Sequence, residues 1–266
     1  MAKIELQDLQ FAYPGKSFNL AVKQQVFADP MTAIVGQNGA GKSTIFKLLT
    51  GLLQPDTGII KVDGHDLADF KPVDRLKTIG ITFQNPDDQL FNATVKREVE
   101  WSLSQVNDDR DANSQQADKV LANVGLAEKA AENPYDLSLS ERKLLTIATV
   151  LAIDPEIYLF DEPMISLDSP SKLMLTQIFH ELVADGHQVI TITHDMDWVA
   201  AEFGAVCVME HGRIQFTGTP RALFGDRGLV ERVGLLPPKV MELTSMLGDS
   251  RVYLSPEDYY KQNLGK

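Results

Sequence analysis

The stretch GQNGAGKST at positions 36–44 has the residue types and spacing to hold a phosphate chain. It satisfies G-x-x-x-x-G-K-[ST], in which glycine backbone, lysine and hydroxyl have separate tasks. Gly36, Gly39 and Gly41 permit backbone angles that side chains resist. With Gln37, Asn38 and Ala40 they form a loop whose N–H groups converge on an anion. Lys42 is placed to reach the β- and γ-phosphates of a bound ATP, and the Ser43 hydroxyl to ligate Mg²⁺, with Thr44 completing the binding stretch. A second chemical feature closes an apolar run: Ile157, Tyr158, Leu159 and Phe160 lead into the adjacent carboxylates Asp161 and Glu162. Acids at the C-terminal end of a buried strand stand where α/β sheets bind ligands. Asp161 is suited to hold Mg²⁺ through its water shell, and Glu162 to polarise an attacking water as general base.

The phosphate loop works only if it joins a buried strand to a helix N-terminus. Thr32, Ala33, Ile34 and Val35 precede it as such a strand, and Ile45, Phe46, Leu48 and Leu49 follow at helical spacing. Ahead of these, from Met1 and Ala2 onward, residues 3–13 and 18–28 read as strands with alternating apolar positions. Turn signals at 55–58 and 63–64 flank Ile59, Ile60, Lys61 and Val62, a small hairpin-like β unit. Residues 79–83 form a further short strand that ends at Gln84. Beyond Pro86, which is expected to start a helix, the character changes. From about residue 94 to 152 the pattern is helical, with Val95, Val99, Trp101 and Leu103 first and Val120, Leu121 and Val124 later, divided by an exposed loop at 107–113. Strands then return at 157–160, 188–193, 205–209 and 213–216, with helices at 171–184 and 197–203 between them. That alternation predicts a mainly parallel sheet covered on both faces. The expected domains are a nucleotide-binding domain over 1–224, with a helical subdomain at about 87–155, and a C-terminal helical segment over 225–266.

At 266 residues, 44% hydrophobic and 23% charged, the chain has the composition of a soluble globular protein with a sizeable core. No apolar run approaches the roughly 18 residues of a spanning helix, and the start lacks a signal-peptide pattern. The formal net charge of −12 argues against nucleic-acid binding, which needs a basic footprint. The single cysteine, Cys207, sits in an apolar run and reads as a small core residue in a reducing compartment. His65, His180, His187 and His211 lack metal-ligand spacing.

Taken in order along residues 3–222, these motifs resemble the ATPase subunit of an ATP-binding cassette (ABC) transporter. The resemblance implies a RecA-like P-loop NTPase domain of α/β class, with an antiparallel β subdomain, a helical subdomain and a short C-terminal helical appendage. It also implies further roles. Tyr13 would stack on adenine, and Gln84 would contact Mg²⁺ and the attacking water. Ser166, Leu167 and Asp168 would form the D-loop at a dimer interface, and His194 would bond the γ-phosphate. The family signature LSGGQ, which binds the γ-phosphate held by the opposite subunit, is altered here: Leu137 and Ser138 are kept, while Leu139, Ser140 and Glu141 replace both glycines and the glutamine. A leucine side chain obstructs close backbone approach to phosphate, and Glu141 adds a negative charge. The resemblance therefore implies a heterodimer, this chain supplying an intact P-loop half and a degraded signature half.

Residues 84–91, Gln-Asn-Pro-Asp-Asp-Gln-Leu-Phe, resemble a hallmark of the energy-coupling factor (ECF) branch. In that frame Leu90 and Phe91 would anchor a partner's coupling helix. The implied activity is MgATP hydrolysis that powers uptake of a vitamin or metal ion. The implied partners are a second ATPase, a transmembrane T component and a substrate-binding S component, which would hold this chain at the cytoplasmic face of the cell membrane. Two alternatives stay open on sequence: the ATPase of another ABC importer branch, and a soluble ABC ATPase of DNA repair or translation. The acidic charge and single cassette weigh against the latter.

Overall fold

The computed structural model describes residues 3–15 and 17–263; Met1 and Ala2, with which the first strand was expected to begin, lie outside them. The strands are β1 (Ile4–Ala12), β2 (Asn19–Phe27), β3 (Met31–Val35), β4 (Thr57–Val62), β5 (His65–Asp66), β6 (Ile79–Thr82), β7 (Ile157–Asp161), β8 (Gln188–Ile192), β9 (Ala205–Glu210) and β10 (Arg213–Gly218). They form two sheets. One is four-stranded in the order β2-β1-β4-β5, with antiparallel pairing throughout. The other is six-stranded in the order β10-β9-β3-β8-β7-β6; it is parallel from β9 to β6, with β10 antiparallel at the edge. The hairpin expected after the phosphate loop is β4 and β5, and its main pairing is with β1.

Helix α1 (Lys42–Leu49) follows β3, and α2 (Pro72–Thr78) precedes β6. The helical insertion comprises α3 (Val95–Ser104), α4 (Arg110–Asn123) and α5 (Leu139–Ile153). Then come α6 (Ser169–Ala184), α7 (Met196–Glu202), α8 (Pro220–Gly225), α9 (Arg227–Arg232), α10 (Lys239–Met246) and α11 (Pro256–Asn263). The strand period of two divides the six-stranded sheet between two cores. Ile34, Ile157, Leu159, Ile190 and Ile192 face α1 and the antiparallel sheet, whereas Ala33, Val35, Tyr158, Phe160 and Val189 face the insertion and the C-terminal helices. Because β3, β7 and β8 are buried along their whole length, they carry near-continuous apolar runs.

One expectation is corrected. Pro86 opens only a 3₁₀ turn, Pro86–Asp88, and the helix starts later, at Val95. The reason is Glu98, buried one turn into α3, whose carboxylate accepts hydrogen bonds from the N–H groups of Phe91 and Asn92 and from the Asn92 amide. Those bonds hold residues 90–92 in an irregular turn. The C-terminal segment is helical, and it packs into the main core: Leu229, Val230, Val233, Met241 and the fully buried Tyr253 belong to the same cluster as Phe160. Tyr253 donates its hydroxyl proton to Asp249 (2.7 Å), so the buried ring keeps a polar partner.

Tyr253→Ala should therefore destabilise the whole domain by about 3 kcal/mol or more, the scale of an aromatic truncated in a packed core. Chemical denaturation should show one cooperative transition moved to lower denaturant. An early, separate transition confined to the C-terminal helices would show instead that they fold as an independent appendage.

Candidate functional site

The site is built where β3, β7 and β8 end. At Gly36 φ is +148°, and a Cβ there would lie 2.1 Å from the carbonyl oxygen of Met209 on the adjoining β9, so only glycine fits. Gly41, at φ +104°, is the N-cap of α1 and supplies no side-chain cap. The first-turn N–H groups of α1 are thus left to an anion in the cleft, at the positive end of the helix dipole. The Lys42 ammonium is curled back on the loop, donating to the carbonyls of Gly36 (2.6 Å) and Gln37 (3.0 Å). Burial lowers its pKa, opposed by the nearby carboxylates of Glu162 and Asp161.

Asp161 is the last residue of β7, buried, and hydrogen-bonded to the Ser43 side chain; burial still outweighs that bond and raises its pKa. Glu162 follows in the left-handed region, φ +51°, a conformation costing a non-glycine residue about 1–3 kcal/mol. The Glu162 N–H donates to Ile192 at the end of β8 (2.9 Å), which fixes this turn against the neighbouring strand. Burial, helped by the adjacent Asp161 charge, pushes the Glu162 carboxyl up to about 7. His194 brings Nε2 to 3.3 Å from both Glu162 Oε1 and Lys42 Nζ. Although the first distance is short enough for an ion pair, it lacks hydrogen-bond geometry, and Glu162 Oε1 stays buried without a hydrogen bond. Burial and the Lys42 charge both lower the His194 pKa and favour the neutral ring.

Residues 38–44, Gln84, Asp161, Glu162 and His194 line one cleft with Tyr13, which reaches Thr44 Oγ1 at 3.4 Å. Phe18 and Ile165 line it too, and the sequence reading missed both. For Phe18 a signal existed, an aromatic just beyond the Pro14-Gly15 turn; Ile165 had none. The oxygens of Ser43, Asp161 and Gln84, beside the orphaned Glu162 Oε1, form a hard donor set that fits Mg²⁺ shared with phosphates.

The other expected residues lie outside this cleft. Ser166 is left-handed (φ +68°), Leu167 is buried, and Asp168 caps α6 by accepting the Ser171 N–H (2.9 Å). Ser138 is the N-cap of α5, in a capping box with Glu141. Both the N–H and the hydroxyl of Ser138 donate to Glu141 Oε2 (2.9 and 2.8 Å), while Lys129 pairs with Oε1 at 2.6 Å. The Lys129 and Ser138 bonds hold the Glu141 carboxyl down to about 2. Its charge is kept and paired internally, with Lys129 and the Ser138 donors. Leu139 stands exposed and Ser140 half-buried on the first turn. Leu90 is 2% exposed and belongs to the core, whereas Phe91 is 59% exposed and packs edge-on against exposed Trp101 at 4.6 Å. Only Phe91 of that pair remains on the surface.

Comparison with known proteins identifies the family. The family described as ABC transporter matches residues 21–165. The chain is 34% identical, over 248 residues, to the "Energy-coupling factor transporter ATP-binding protein EcfA" of Methanothermobacter thermautotrophicus, covering 92% of this chain and 79% of that one. It is 33% identical to the EcfA2 of Streptococcus pyogenes serotype M5, with 95% and 94% covered. Among solved structures, cbiO1 from Clostridium perfringens, described as part of the ABC transporter complex cbiONQ, superposes with a TM-score of 0.74 at 29% identity, over 91% of this chain and 98% of that one.

The raised Glu162 pKa has a stability consequence. A carboxyl with a folded pKa of about 7 and an ordinary value near 4.5 favours the folded state below pH 4.5, and that contribution is lost as pH rises through 7. Glu162→Gln keeps the shape without the charge. It should raise Tm by several degrees at pH 8, at roughly 2–4 °C per kcal/mol for this size, and the gain should shrink toward pH 5. Calorimetry of the nucleotide-free chain at both pH values is the check; a pH-independent difference would contradict the assigned environment.

Proposed function

The chain belongs to the ABC transporter ATPases, among the energy-coupling factor ATP-binding proteins, and we propose that it drives uptake of a vitamin or metal ion as one half of an ATPase heterodimer. The observation that carries the hydrolytic reading is the convergence of Lys42, Glu162 and His194 at the ends of α1, β7 and β8, two contacts of 3.3 Å sharing His194 Nε2. A triphosphate entering at the α1 N-terminus would draw Lys42 from the loop carbonyls onto the β- and γ-phosphates. Mg²⁺, when bound, would screen the phosphate charge and polarise the γ-phosphoryl group, held by Ser43, Asp161 and Gln84. Glu162 would take the proton of the attacking water, and its pKa of about 7 suits a base working near neutral pH. Neutral His194 would bond the γ-phosphate while contacting Glu162. Tyr13, with Phe18 beside it, would provide the platform for adenine.

The heterodimer reading rests on the difference between two helix N-termini. That of α1 is open, and that of α5 is closed by Glu141. A second cassette's γ-phosphate approaching α5 would find the Ser138 donors already satisfied and Leu139 in the way. Losing one preorganised donor costs about 10²–10³ in rate. The productive site would then combine this chain's P-loop with an intact signature on the other ATPase. No helix among the described residues is long and apolar enough to cross a membrane. Docking to a membrane-embedded T component, itself joined to an S component, would place this chain peripherally at the cytoplasmic face. The supporting feature is an apolar groove beside Gln89 lined by Leu52, Phe70, Leu76, Phe83 and Trp101, with Phe91 packed edge-on against Trp101.

In the assembled complex, Glu162→Gln should abolish steady-state ATP hydrolysis while nucleotide binding persists, and the matching change in the second ATPase should reduce turnover far less. Equal losses from the two sides would overturn the asymmetry. For the docking groove, Phe91→Ala combined with Trp101→Ala should leave ATP affinity unchanged and sharply lower the yield of membrane partner that co-purifies. Aromatic anchors of this kind are worth about 2 kcal/mol or more at an interface. Undiminished co-purification would place the docking surface elsewhere.

A further inference from the structure

Lys143 has no part in the chemistry described so far, yet it is a lysine only 2% exposed, beside the nucleotide site. A buried ammonium is costly unless hydrogen-bonded and near opposite charge. Its Nζ donates to the Gln84 carbonyl at 2.6 Å, and the Asp161 and Glu162 carboxylates attract it, against a burial that lowers its pKa to about 8. The preceding residue, Arg142, donates to Asp87 Oδ1 at 2.9 Å. One turn of α5 therefore grips both ends of residues 84–87. From the other side the Gln89 amide braces the same loop, accepting from the Phe83 N–H (2.8 Å) and donating to Ile81 O (3.2 Å). Gln84 lines the ATP cleft, and Lys143 does not. Its hydrogen bond thus acts on the cleft through the Gln84 backbone, beside the longer-range pull of its charge on Asp161 and Glu162.

We propose that Lys143 is a positioning residue for ATP hydrolysis: by holding the Gln84 carbonyl, with Arg142 on Asp87 as a second tie, it sets the Gln84 side chain in the cleft and fastens the start of α5 to the nucleotide site. This rests on the ATPase reading above. The loop bears Gln84 at one end and runs on to Phe91 at the other, so the tie couples α5 to both.

The test is steady-state ATPase of the full chain in its assembled complex, comparing Lys143→Met, Lys143→Arg, Gln84→Ala and the Lys143→Met/Gln84→Ala double variant. Misplacing a group that orients the attacking water lowers kcat, so Lys143→Met should reduce kcat by about tenfold or more. KM for ATP should stay within about twofold. Lys143→Arg, which keeps a cationic donor, should restore most of the rate. Because Lys143 acts through Gln84, adding Lys143→Met to Gln84→Ala should cost less than about twofold more. Independent, multiplicative losses, or a raised KM with intact kcat, would overturn the proposal and leave the ATPase reading standing. A fully active Gln84→Ala would remove the role of Gln84 and this proposal with it, whereas failure of the ATPase reading would show as unchanged turnover in Glu162→Gln. If Lys143→Met does not fold, Arg142→Ala tests the outer tie at the surface. It should lower kcat by roughly threefold at unchanged KM, and a wild-type kcat would overturn the clamp.

Discussion

A helix N-terminus that the chain itself does not cap governs this structure. Gly41 gives α1 no side-chain acceptor, and Gly36 brings the loop backbone within reach of β9, where any Cβ would collide with the Met209 carbonyl. The fully buried β3 then holds the N–H groups of α1 at a fixed place and direction. The groups around that positive end follow from it. Lys42 must find carbonyl oxygens and nearby carboxylates because it is desolvated, and Asp161 and Glu162 share the same dry environment that raises their pKa values. An anion with several negative charges would satisfy the helix N-terminus and Lys42, and a divalent cation carried with it would offset the two carboxylates, so the site suits a metal-bound polyanion.

The contrast with α5 shows how much one residue changes. There, Ser138 and Glu141 complete a capping box and Lys129 neutralises the carboxylate, so that helix start carries its own anion. A glutamate at the third helical position is among the commonest ways to stabilise a helix N-terminus, with N-cap residues worth about 1 kcal/mol. At this position the same substitution also removes donors from the surface. Local stability and the ability to accept phosphate pull in opposite directions along a single turn of helix.

Between the two helices runs the loop after β6, pinned by Lys143, Arg142 and Gln89 and cradled farther on by Glu98. These bonds make residues 84–92 a shaped connection, with the nucleotide cleft at one end and exposed Phe91 and Trp101 at the other. The C-terminal helices complete the opposite core face, with Tyr253 and Val233 in the same cluster as the aromatic stack of Tyr158, Phe160 and Phe179. The nucleotide site is thereby set in a body whose insertion and C-terminal segment share one hydrophobic cluster.

The phosphate loop, the carboxylates at the end of β7, the sheet class and the helical insertion are legible in the order of amino acids, because each follows from local rules. Glycine at forced angles, apolar runs buried on both faces and apolar positions at helical spacing keep their meaning wherever the chain goes. Gln84, Ser166 and His194 were legible only through the order of motifs, since a lone glutamine or histidine carries no local signature. Tertiary structure alone decided that Leu90 is buried and Phe91 exposed, because Glu98, several residues on, captures the backbone between them. It alone decided that the Glu141 charge is spent on Lys129 and Ser138, that Phe18 faces the nucleotide cleft, and that Lys143 reaches Gln84. These facts depend on pairings between residues 3 to 59 positions apart, or on which face of a packed element a side chain occupies. Composition and periodicity are silent about both, because they describe each element singly, whereas burial and electrostatic pairing are properties of elements in contact.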